Sequence, residues 1–89
     1  MEVPVLVDTG ASLTMVSTRL LHDLDSRLLS QLKETDMHCA IMADGQTINI
    51  LGNLRLRFKL GDTKFDHVFY VLPDLTYRAV LGTDFFTSH

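Results

Sequence analysis

The sequence predicts a mostly β domain with one or two short helices, and three observations lead there. Leu54, Leu56, Phe58 and Leu60 alternate with Asn53, Arg55, Arg57 and Lys59. That is the period-two pattern of a strand with one buried and one solvated face. Asp44-Gly45 separates two strand-like runs, a strong hairpin signal, and Gly61-Asp62 marks a second turn. Helical spacing is confined to one stretch, at Leu20, Leu21, Leu24, Leu28 and Leu32.

Taken in order, Val3 to Val7 reads as a strand, with Pro4 placing it at an edge or at the strand's start. Asp8-Thr9-Gly10 then turns the chain. Leu13 to Val16 has strand-like residues, and Ser17 or Thr18 can cap the helix that follows. Asp25-Ser26 interrupts the leucine stripe, giving one short helix and a further helical turn or two. The stripe is too short for heptads and reads as core. Met37 to Ala43 and Gln46 to Leu51 form the arms of the Asp44-Gly45 hairpin. Phe65 to Leu72 is a nearly continuous apolar run, the mark of a central strand buried on both faces. Pro73-Asp74 ends it. Arg78 to Leu81 is a last short strand, broken by Gly82. Thr83 or Asp84 can then cap a terminal helical turn carrying Phe85 and Phe86.

The totals set bounds. Eighty-nine residues with 46% apolar content suit one globular domain, residues 1–89, with a modest core. The net charge of −3, with both signs mixed along the chain, argues against a nucleic-acid grip. Arg55, Arg57 and Lys59 therefore read as a wet sheet face, not a phosphate-binding stripe. No apolar run approaches membrane-spanning length, and the start Met1-Glu2-Val3-Pro4 does not resemble a signal peptide. Cys39 is the lone cysteine, so no internal disulfide forms and an intracellular, reducing compartment is expected.

The chemistry centres on Asp8. An apolar strand delivers its carboxylate to the edge of a hydrophobic core, where it must be hydrogen-bonded, paired or used. Gly10 permits a turn that a side chain would block, and Thr9 offers a hydroxyl. The bland reading, a strand end followed by an Asp/Gly turn, stands beside the functional one. His22, His38, His67 and His89 show no metal-ligand spacing, and His38-Cys39 alone is too little for zinc. No Gly-x-Ser-x-Gly elbow supports a serine triad. Cys39, in a predicted hairpin strand, reads as packed. Asp84 follows an apolar-apolar-Gly and reads as a helix cap in preference to a second catalytic acid.

Val5-Leu6-Val7-Asp8-Thr9-Gly10-Ala11-Ser12 resembles the catalytic loop of the aspartic proteases. Ala43-Asp44-Gly45-Gln46 resembles the tip of their flap, and Phe65 to Leu72 the long strand after it. Ala79-Val80-Leu81-Gly82 with Thr83-Asp84-Phe85-Phe86 resembles their apolar-apolar-Gly signature and C-terminal helix. In this order the set is similar to the retropepsins, most of all those of gypsy-type LTR retrotransposons and their domesticated relatives. The resemblance implies a closed barrel or sandwich with a flap hairpin. It implies catalytic Asp8, Thr9 and Gly10, with Ala11, Ala43, Asp44, Gly45 and Gln46 along the substrate. Peptide hydrolysis by carboxylates needs two of them sharing a proton, and one Asp-Thr-Gly per chain then implies a homodimer. The expected partner is a peptide or polyprotein substrate, with no metal, cofactor, membrane or nucleic acid. Seven residues precede Asp8 and little follows Phe86, so both dimer-forming ends read as truncated and a weakened dimer is expected. The rival reading is a non-catalytic peptide-binding module that keeps the fold.

Overall fold

The computed structural model describes residues 5–8, 10–41, 45–73 and 75–89. Seven strands are described: β1 (Leu6–Val7), β2 (Met15–Ser17), β3 (Cys39–Ile41), β4 (Thr47–Asn49), β5 (Gly52–Leu60), β6 (Thr63–Leu72) and β7 (Ala79–Leu81). Two α-helices, α1 (Thr18–Leu24) and α2 (Thr83–Ser88), and one 3-10 helix (Ser26–Gln31) accompany them. The main sheet runs β1-β7-β2-β6-β5, and β3 and β4 form a separate antiparallel ribbon. Among the described residues no pairing closes the main sheet into a barrel.

The alternation from Asn53 to Leu60 becomes the β5–β6 hairpin, in register from Gly52↔Val71 to Leu60↔Thr63 across the Gly61-Asp62 turn. Phe58 lies opposite Phe65, ring centroids 5.8 Å apart, while Arg55, Arg57 and Lys59 face solvent. The expected central strand is β6, which lies between β2 and β5. Its C-terminal half is buried on both faces. Phe69 and Val71 enter one core cluster with Val16, Leu20, Leu21, Leu54, Leu81 and Phe85. Leu72 enters a second with Met15, Ala40, Ile50, Leu75 and Val80. β2 and β7 split their side chains between the same two clusters, which is why neither shows polar alternation.

Ser17 caps α1, its Oγ accepting from the Leu20 amide at 3.1 Å. Asp25 ends that helix and caps the next, its carboxylate accepting from the Arg27 amide at 3.0 Å. The interrupted leucine stripe is thus two helical pieces with Asp25 at the joint. α2 corrects the expected cap. Its N-cap is Gly82 and no side chain caps it, because the Asp84 carboxylate is engaged 70 residues away, on Thr14. Phe85 is buried against Phe58, Phe65 and His67.

β7 does most to place the Asp8 loop. It pairs parallel with β1 and antiparallel with β2, the two strands that flank this loop in sequence. The loop therefore arches over the C-terminal end of β7, and the two backbones nearly touch at Gly82. A Cβ there would lie 2.4 Å from the Leu13 carbonyl oxygen and 2.8 Å from that of Ala11, so only glycine fits without movement.

Candidate active site

Asp8 leaves β1 with its backbone fixed at both ends. Its N–H donates to the Leu81 carbonyl at 3.1 Å, and its own carbonyl accepts from Ala11 at 3.0 Å. The carboxylate Oδ1 accepts from the Gly10 amide at 2.9 Å. One oxygen is thus held by the loop itself, a charge-assisted bond that fixes the side chain's direction. Thr83 N–H donates to the Ala11 carbonyl at 2.9 Å, tying the far side of the loop to the start of α2.

Asp8, Gly10 and Ala11 open onto a cavity of about 270 Å³. Ser12, Leu13 and Met15 also line it, as do Met37, Cys39, Ala40 and Ile41 from the hairpin side. The loop and the hairpin, distant in sequence, therefore line one cleft. Register pairs Cys39 with Asn49 and Ile41 with Thr47, so Ala40 turns to the core while its neighbours turn out. This corrects the reading of Cys39 as packed: it is exposed and lines the cavity. A three-residue strand in a two-stranded ribbon has one covered face, and Ala40 takes it.

Of the sequence-predicted site residues, Asp8, Gly10 and Ala11 come together at the cavity. Gly45 and Gln46 are exposed in the hairpin, with Gly45 at φ 86°, and are not among the described lining residues. Thr9, Ala43 and Asp44 lie outside the described residues. Leu13, Met15, Met37 and Ile41 were not named for the site. The signal available was alternation on the hairpin arms, which needed its partner face to be known.

Asp84 sits apart from Asp8's own bonds. Its Oδ2 accepts from the Thr14 amide at 3.1 Å and its Oδ1 from the Thr14 hydroxyl at 2.5 Å. His67 Nε2 lies 3.7 Å from Oδ2, and His67 Nδ1 lies 3.2 Å from His89 Nε2. The two histidines were not expected to meet. His67 spends its two nitrogens in different directions, and among the described residues no group of three or more such side chains is arranged to hold a metal ion.

A family model described as aspartyl protease matches residues 1–85. The chain belongs to the aspartyl protease family. Among solved structures, the retroviral protease-like domain of Ddi1 from Leishmania major is similar to it. Their TM-score is 0.76 at 19% identity, over 98% of this chain and 67% of that one. That likeness shows the retropepsin-like fold. No match was found among curated proteins. No helix among the described residues is long and apolar enough to cross a membrane.

Proposed function

We propose that this aspartyl protease family member is an endopeptidase of the retropepsin kind, active as a homodimer. The observation that carries the reading is the Asp8 carboxylate. It is oriented by the Gly10 amide and opens onto a cleft whose far wall is a β-hairpin. Each chain brings one Asp-Thr-Gly, so two copies meeting about a two-fold axis complete the pair, the commonest symmetry for oligomers. One carboxylate takes a proton from a water held between them, and the other gives its proton to the peptide carbonyl oxygen. The tetrahedral intermediate then collapses with proton transfer to the leaving amine. Thr9 braces the two loops across the axis.

The β3–β4 hairpin acts as a flap. In this role its ribbon pairs with an extended peptide backbone, and closure excludes water. Ala43, Asp44, Gly45 and Gln46 lie along the substrate at its tip, and Ala11 at the loop. The apolar lining of Leu13, Met15, Met37 and Ile41 suits an apolar side chain beside the scissile bond. The biological setting we favour is polyprotein processing in a retroelement or a domesticated derivative, inside a cell, in keeping with the lone exposed thiol.

Asp8→Asn tests the reading with a near-isosteric amide. Cleavage of an extended peptide library should fall by at least about a hundredfold, the low end of what a general acid–base contributes. The melting transition should stay cooperative. Retained cleavage would remove Asp8 from the chemistry. A wild-type chain that binds extended peptides without cutting them would instead be the non-catalytic module.

A further inference from the structure

We propose that Asp84 is a positioning residue for the reaction at Asp8, acting through Thr14. The inference rests on the endopeptidase reading above and adds a residue to it. Thr14 is wholly buried, and it joins the Asp8 loop to β2. Its hydroxyl donates to Asp84 Oδ1 at 2.5 Å and accepts from the Gly82 amide at 3.2 Å. Its own amide donates to Asp84 Oδ2 at 3.1 Å. Two donors on one residue thus meet two acceptor oxygens on another, and a carboxylate alone among side chains of this size offers two acceptors and no donor. His67 Nε2 lies 3.7 Å from Oδ2.

The grip has consequences at Asp8. Thr14 holds Gly82, whose neighbours hold the loop: Leu81 accepts from the Asp8 amide and Thr83 donates to Ala11. The height of the loop over β7 is therefore set by one continuous set of bonds running from α2 through Thr14 to Asp8. Two Asp8 carboxylates must approach within a few ångströms across the dimer axis, and a misplacement of about 1 Å is enough to cost on the order of a hundredfold in rate. A helix cap or a mere surface bond would not carry that cost.

The test uses Thr14→Val, Thr14→Ser and Asp84→Asn in the full chain, with Phe85→Leu as a variant that loosens α2 by packing alone. Rates are referred to the folded, dimeric fraction. Thr14→Val should lower kcat about ten- to a hundredfold while KM moves less than about threefold, because positioning acts on the transition state. Thr14→Ser, which keeps the hydroxyl, should recover most of the rate. Asp84→Asn, keeping one acceptor, should fall between, and Phe85→Leu should melt earlier yet turn over normally. Unchanged kcat in Thr14→Val, or equal loss in Phe85→Leu, would overturn the proposal. Amide exchange at Asp8 and Thr83 supplies a readout that needs no activity. Both amides should exchange at least about tenfold faster in Thr14→Val than in the wild type, because their local opening becomes easier. Unchanged exchange would overturn the proposal even if the chain cuts nothing, whereas faster exchange in a chain with no Asp8-dependent cleavage would sink only the endopeptidase reading.

Discussion

A methyl group at position 82 would have to enter space already held by two backbone carbonyls of the Asp8 loop. Backbone cannot swing aside as a long side chain can, so Gly82→Ala should lift the loop or pull β7 down. The expected loss is about 1–3 kcal/mol or more, the usual range for overpacking, read as a lower urea midpoint. An unchanged midpoint would mean the approach is looser than drawn. On the surface, the Asp25 carboxylate accepts from the Arg27 side chain and backbone amide. The Arg27 side chain, and then its backbone amide, hold the Asp25 carboxyl below its ordinary value of 3.8. The folded value is depressed, so this contribution is complete above the ordinary value and disappears as pH falls through the lowered one. Carbon-detected NMR titration should place Asp25 below 3.8 in the wild type and nearer it in Arg27→Gln. Both groups meet solvent, so the effect on stability should be small.

Among the elements, legibility follows how local the cause is. The α1 start could be read because Ser17 satisfies an amide three residues on. Ser17→Ala should accordingly cost about 1 kcal/mol, with the range 0.5–2 set by the cap's burial; thermal unfolding would check it. Asp25-Ser26 as a break, the β5–β6 hairpin and the central place of β6 were legible for the same reason, since turn chemistry and side-chain period are written within a few residues. The role of Asp84 was not. As the second residue of α2 it looked like a cap, and only the arrival of Thr14 from the far end of the chain gave its oxygens better donors. Cys39 failed likewise: whether an outward-facing strand residue meets solvent, core or a cleft depends on what lies opposite, and here that is the Asp8 loop. The Asp8 loop itself was legible through its motif, while the strand that supports it, β7, could be placed between β1 and β2 only by long-range pairing.

At the scale of the whole molecule, the functional proposal turns on assembly. On that proposal the one Asp-Thr-Gly per chain supplies half a site, and Asp84 is committed to Thr14. A monomer should therefore be inert, and specific activity should rise with protein concentration until the dimer is saturated, by mass action. The rate should also be bell-shaped in pH and highest on the acid side of neutrality, because a shared-proton pair works only when singly protonated. A mixing experiment separates a shared site from two independent ones. When wild type is re-equilibrated with an equal amount of Asp8→Asn at fixed total concentration, random pairing leaves about a quarter of the dimers with two Asp8 carboxylates. If both are required, activity should fall to about that fraction of the all-wild-type rate, and not to the half that independent sites would give. Sedimentation run on the same samples fixes the dimer population, so a lower rate from weaker association is not mistaken for a poisoned site. Activity at one half, or full activity from a strictly monomeric species, would place the second proton-transfer group within one chain.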